Sequence, residues 1–252
     1  LILHLRHNSY KRGEGMNNTE KIKKALQESA ELEKAEFLPG FFKAVPGGYG
    51  EGDLFLGVRV PLQRKVAKKY YKHISLDELK KLLQEPVHEY RFTALVMLVH
   101  QFQKAKDPEE KGIIANFYLK HLDYVNNWDL VNASAYKILG AYLIDQDRSI
   151  LYELAASKDL WKQRVSIIAT LYFIARNDYG DTLEIAKELL HHEHDLIHKA
   201  VGWMLREVGN RDFETEYRFL EKYYSAMPRT MLRYAIEKFD PELRQEFLKG
   251  RI

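Results

Sequence analysis

Asn127-Trp128-Asp129-Leu130-Val131-Asn132-Ala133 is the stretch from which the rest of the chain can be read. As a helix it places Trp128, Asn132 and the following Ala135 on one face, because residues three and four apart stack above one another. A broad aromatic plane and a short polar side chain then point the same way. A tryptophan on a helix also commonly fills a core, so the stretch decides little by itself. Its weight comes from four segments that align with it: Glu89-Tyr90-Arg91-Phe92, Lys162-Gln163-Arg164-Val165, Ile197-His198-Lys199-Ala200 and Met231-Leu232-Arg233-Tyr234. The aligned positions 91, 129, 164, 199 and 233 recur about every 35 residues, a period typical of helix-pair repeats.

Helical patterning extends outward from these segments in both directions. A first helix is expected from Thr19, as cap, to about Lys34, with Ile22, Leu26 and Ala30 on its apolar side. Pro61 opens a helix, despite a preceding Leu54–Val60 run that resembles a strand. Further helices are expected over Leu76–Leu83, His88–Lys104 and Ile113–Leu122, with breaks at Pro86 and at Asp107-Pro108. Helix pairs of this kind cannot bury their apolar faces alone and stack into a curved solenoid. The pattern therefore implies one elongated α domain with a concave inner surface.

The aligned positions carry Arg91, Asp129, Arg164, Lys199 and Arg233. A cation turned into the core without a partner costs several kcal/mol, so these positions are expected at helix starts or on an open face. A column of cations suits a phosphate backbone, and it equally suits pairing with acids of neighbouring repeats. The three tryptophans, Trp128, Trp161 and Trp203, each lie within four residues of an aligned position, and Arg206 shares a helical face with Trp203. Cations interleaved with aromatic planes are the means by which proteins grip phosphate and stack on sugar or base.

Composition narrows the remaining classes. The chain of 252 residues has no cysteine, which excludes disulfides and thiolate metal sites, and its net charge of +3 only weakly favours a polyanionic partner. No apolar run approaches the roughly 18 residues a membrane span requires, and Leu1–Arg6 is too short for a signal peptide. Residues 1–18 are expected to be a disordered leader, with residues 19–252 as a single domain in a cytoplasmic protein. The loop Pro46–Asp53 is rich in glycine but lacks a phosphate loop's lysine. The cluster His191, His192, Glu193, His194 and His198 lacks a metalloprotease order and falls in an expected interhelical loop, so no metal and no cofactor are assigned.

Several ordered motifs together resemble the AlkD-type DNA alkylation-repair glycosylases, a HEAT-like repeat family. They are Phe55-Leu-Gly-Val-Arg59-Val-Pro61 with Arg64, Asn127–Val131, Leu160–Arg164, Lys199–Glu207, and Pro228-Arg229-Thr230 with Arg233–Lys238. The resemblance covers roughly Glu20 to Phe247. It implies a right-handed α-solenoid of HEAT-like antiparallel helix pairs, C-shaped, with a basic concave groove that holds double-stranded DNA. It further implies a monomer that removes cationic N3- or N7-alkylpurines by hydrolysing the N-glycosidic bond.

Carried over by residue, Trp128 and Trp203 match the family's sugar-contacting tryptophans, and Arg164 matches its lesion-side phosphate ligand. Arg206, Arg64, Arg59 and Lys199 are further candidates for the DNA backbone. The family's catalytic aspartate falls on Asn132, which supplies a dipole where a carboxylate supplies a full charge. That departure implies attenuated activity. It also keeps open a DNA-binding paralogue that cleaves nothing, and a protein-interaction solenoid. Asp129, about 100° around the helix from Trp128, is expected to play a separate structural or capping part.

Overall fold

The computed structural model describes residues 16–252, and among these the regular structure is helical with no strand, so the fold is all-α. Most of the expected leader lies outside the described residues. Its last positions, however, belong to the first helix, α1 (Asn18–Gln27). Asn17, not Thr19, is the cap: its side chain accepts from the Glu20 N–H while Glu20 reaches back to the Asn17 N–H. This reciprocal box satisfies two otherwise unpaired donors, whereas Thr19 is buried. The helix also ends earlier than expected, and a separate α2 (Leu32–Phe41) follows.

Chain contacts divide the molecule into two compact units, one ending at Ala133 and one beginning at Ser134. The first unit is built on α5 (His88–Lys104), whose residues 88–99 are all buried. Against it pack α1, α3 (Val60–Tyr70), α4 (Leu76–Leu83) and α6 (Pro108–Lys120). Pro61 does sit in the first turn of α3, and α6 starts earlier than Ile113, because the Asp107 carboxylate accepts the Glu110 N–H at 2.8 Å. α7 (Trp128–Ala135) begins in this unit and runs on through a π turn at Tyr136–Gly140.

Leu54–Arg59 has no regular secondary structure and belongs to no sheet. Leu54 makes one isolated bridge to Val87, and the N–H groups of Leu56, Gly57 and Val58 turn to the buried carboxylate of Glu89. Gly57 has φ +79°, and a Cβ there would lie 2.1 Å from the Glu31 carbonyl oxygen, so both the backbone and the available space demand glycine.

The second unit stacks α8 (Ser149–Ala156), α9 (Leu160–Ala169), α10 (Gly180–Glu188), α11 (Asp195–Gly209), α12 (Phe213–Tyr223), α13 (Arg229–Ala235) and α14 (Pro241–Lys249). α9 packs on α11 and α11 on α13, while α8 packs on α10. α9, α11 and α13 thus form one row of counterparts, as repeat packing requires. Arg148 links two pairs by donating to Asp178 at 2.7 Å and to Asp181 at 2.6 Å.

Not every aligned cation avoids the interior, contrary to the expectation from charge cost. Arg91 is 5% exposed and Arg164 4% exposed. Burial is offset at Arg91 by an ion pair, with Nη2 2.6 Å from the Asp53 carboxylate, and at Arg164 by donation to the Leu196 carbonyl. Lys199 pairs with Asp195 at 2.6 Å, and Arg233 is exposed.

Two positions carry testable consequences for stability. A Cβ on Gly202 would fall 2.4 Å from the Met231 carbonyl oxygen and 2.5 Å from the Tyr234 Cβ. Gly202→Ala is therefore expected to push α11 off α13 and cost about 1–3 kcal/mol, read as a lower midpoint of thermal unfolding by circular dichroism. An unchanged midpoint would show that the helices separate freely.

Glu216 is 2% exposed, and its burial pushes the carboxyl up to about 9 against the opposing charge of Arg206. A raised carboxyl binds its proton more tightly in the folded state, so its contribution is intact below the ordinary value near 4.5 and is lost as pH rises toward 9. Glu216→Gln, which mimics the protonated form, is expected to be more stable than the parent at pH 7, by on the order of 3 kcal/mol. At pH 4 the two should match, and parallel stability curves from denaturant titrations at both pH values would refute the assignment.

Candidate nucleic-acid interface

In the first unit the candidate surface begins at the start of α7. Asn127, fully buried, takes the cap position: its side-chain oxygen accepts the Trp128 N–H at 2.9 Å and its carbonyl accepts the Val131 N–H at 3.1 Å. Trp128 is half-buried rather than sealed in the core. One side of its indole lies on Phe42, with ring centroids 5.5 Å apart and planes 23° apart, and Phe41 meets it edge-on at 5.9 Å. Asn132, one turn further on, is also half-buried. Helical spacing puts it on the same face as Trp128.

Behind the indole lies a layer of buried charge. His88 is 3% exposed; its Nδ1 is 3.1 Å from the Asp53 carboxylate and its Nε2 is 2.9 Å from that of Asp129. Ionised carboxylates only accept, so both ring nitrogens must donate and the ring is an imidazolium. Burial acts to lower the pKa of His88, but the charge of Asp129 and the hydrogen bonds to Asp129 and Asp53 override it and push the ring up to about 9. Burial likewise works to raise Asp53, and the hydrogen bonds from His88 and Arg91 hold it below the usual carboxylate range. Phe42 and Phe55 flank the imidazolium at 4.5 and 5.2 Å.

Asp129 accordingly faces His88, in keeping with a structural part separate from that of Asn132. Arg59 and Arg64 are exposed at the start of α3. Arg59 donates to Glu31 at 2.8 Å, and Arg64 lies 5.7 Å over the Phe92 ring. Hydrogen bonds from Arg59 and Lys34 hold the half-buried Glu31 carboxyl down to about 2.

In the second unit α11 carries Lys199, Trp203 and Arg206 on successive turns. Trp203 is half-buried, and its indole N–H donates to Glu207 at 3.2 Å. Arg211 meets the same carboxylate at 3.0 Å. Arg206, which is not one of the aligned positions, pairs with Glu237 beyond α13. Arg164, expected at a phosphate, instead has its guanidinium inside the unit, donating to the Leu196 carbonyl.

The histidine cluster is occupied with local structure. His192 meets Gln163 at 2.9 Å, His194 accepts the Leu196 N–H as the cap of α11, and His198 meets the His192 carbonyl. Burial lowers both His192 and His194. Among the described residues no group of three or more histidine or acidic side chains is arranged to hold a metal ion.

Phe42, Asp53, Phe55 and His88 were not singled out from sequence as parts of this surface. The signal for them was the polar turn His88-Glu89-Tyr90-Arg91 at the head of an otherwise apolar buried helix, since charged residues in such a place require partners. Chemically, each unit offers one half-buried indole and cations held by carboxylates, and the first unit adds the amide dipole of Asn132.

Comparison with known proteins agrees with this architecture. A solved structure described as a predicted DNA alkylation repair enzyme from Enterococcus faecalis superimposes with a TM-score of 0.67 at 16% identity, covering 84% of this chain and 98% of that one. At that identity the likeness concerns the fold. No curated protein matches the chain. Residues 22–239 do match the family described as DNA alkylation repair enzyme, and the chain belongs to that family.

Proposed function

We propose that the chain binds alkylated duplex DNA and hydrolyses the N-glycosidic bond of cationic N3- or N7-alkylpurines, at a reduced rate. The observation that carries this reading is the placement of half-buried Trp128 and Asn132 on one helical face within a chain of the alkylation-repair family. In this reading Trp128 and Trp203 lie against the deoxyribose of the lesion, and Asn132 orients the attacking water. A cationic alkylpurine is already a good leaving group, so the remaining task is to stabilise positive charge developing on the sugar. Asn132 does this with a dipole only.

Arg206 and Lys199 hold the backbone by exchanging Glu237 and Asp195 for phosphate, a swap of one anion for another. Arg59 makes the same exchange with Glu31, and exposed Arg64 adds positive charge. Arg164 reaches a phosphate by releasing the Leu196 carbonyl. The amide at position 132 also favours a second reading, in which the protein recognises altered DNA without cutting it.

Release of methylated purine from alkylated duplex DNA separates the two. Asn132→Asp is expected to raise the rate by on the order of 30- to 1000-fold, equivalent to about 2–4 kcal/mol of transition-state stabilisation. If neither protein releases base while both bind DNA, the non-cleaving reading takes its place.

Binding itself is expected to weaken linearly with salt on logarithmic axes, because each neutralised phosphate releases counterions. Affinity indifferent to salt would remove DNA as the partner. Trp203→Ala is expected to lower base release far more than it lowers DNA binding, and equal losses would place Trp203 outside the reacting centre.

A further inference from the structure

Trp128 has support that the alkylpurine reading does not itself require. Phe42 stands between its indole and His88, with centroid separations of 5.5 Å to the indole and 4.5 Å to the imidazole. The residue next to Trp128, Asp129, accepts the Nε2 proton of His88 at 2.9 Å. His88 therefore touches the support of Trp128 twice, once through a tilted ring contact with Phe42 and once through the first turn of α7. Its other nitrogen is anchored to Asp53 at 3.1 Å, and Asp53 is in turn held by Arg91 at 2.6 Å.

We propose that His88 is a positioning residue for Trp128: held as a cation between Asp53 and Asp129, it fixes the angle at which the indole is presented without touching DNA. The role in base release rests on the proposed glycosylase reading, whereas the effect on the indole does not. The charges facing His88 are few. Asp53 comes from the loop before Leu54, Asp129 from α7 and Arg91 from its own helix. The neighbouring Glu89 is committed to the N–H groups of Leu56, Gly57 and Val58. Two anions and two cations then balance, and loss of the imidazolium proton leaves one anion in excess inside the protein.

The loss would fall on Asp129, the less enclosed of the two carboxylates, with a side chain 14% exposed against 3% for Asp53. Freed of its partner, the first turn of α7 relaxes toward solvent and carries Trp128 with it. Because the ring holds its proton up to about pH 9, this change is expected in the alkaline range.

The test uses the full chain labelled with 5-fluorotryptophan and without DNA, so that Trp128, Trp161 and Trp203 each give a fluorine resonance, assigned by single Trp→Phe replacements. In the parent protein the Trp128 resonance is expected to move with a midpoint near pH 9, while that of Trp161 stays in place. In His88→Gln it should be displaced already at pH 7 and no longer titrate.

If His88→Gln fails to fold, seen as collapse of all three resonances, Asp129→Asn serves in its place. That variant keeps the shape but removes the charge, and the same displacement is expected. A Trp128 resonance indifferent both to pH and to these replacements would overturn the proposal.

Base release is measured separately. About a 100-fold loss in the catalytic constant of His88→Gln, with DNA affinity little changed, is the expected cost of a misplaced indole. Absence of base release from every protein, with the fluorine shifts as expected, would sink the glycosylase reading and leave the positioning role standing. An unmoved Trp128 in an active enzyme would do the reverse.

Discussion

An ionised cluster kept out of water governs the first unit. Asp53, His88, Arg91 and Asp129 come from a loop, from one face of a single helical turn and from the start of another helix, and their charges cancel. Such a group has little to offer as net stability, since removing ions from water costs nearly as much as their attraction returns. What it does supply is discrimination between arrangements. Any shift that separates one member strands a charge in a poorly polarisable interior, which typically costs about 3–5 kcal/mol. The loop, α5 and α7 are therefore registered against one another more tightly than apolar packing alone would require.

The second unit solves its packing differently. There α11 approaches α13 through Gly202, and the interior accommodates Glu216 by leaving it protonated instead of pairing it. One unit thus uses matched charge to specify geometry, and the other uses close approach of backbones at a glycine. Both devices sit within reach of a half-buried tryptophan: Trp128 beside Asp129, and Trp203 beside Gly202.

The helical framework was legible because apolar spacing and caps are local. The span Leu76–Leu83 and the helix opened by Pro61 are reproduced by the structure, whereas Asp107 ahead of Pro108, read only as a break, in fact caps α6. The cap at Asn17 was equally local but was passed over for Thr19, one position inside the true start and buried. The candidate surface was legible in part. Trp128, Trp203 and Asn132 could be picked out as residue types at a recurring spacing. The depth of Arg91 and Arg164 could not, because it depends on Asp53 and on the Leu196 carbonyl, each more than thirty residues away in sequence. The aromatic and ionic layer behind Trp128 was hidden for the same reason: Phe42, Asp53, Phe55 and His88 belong to three separate segments that no helical period connects.

The π turn at Tyr136–Gly140 has a consequence for any attempt to read α7 beyond Ala135. One surplus residue in a helix advances the azimuth of all that follows by about 100°. The next member that spacing alone would add to Trp128, Asn132 and Ala135 is Leu139, which lies within the π turn and, like Ala135, is fully buried. Excising a single residue from 136–140 would restore the regular winding and rotate Ala141–Leu143 about the axis, so an indel here acts as a gear change for the chain downstream.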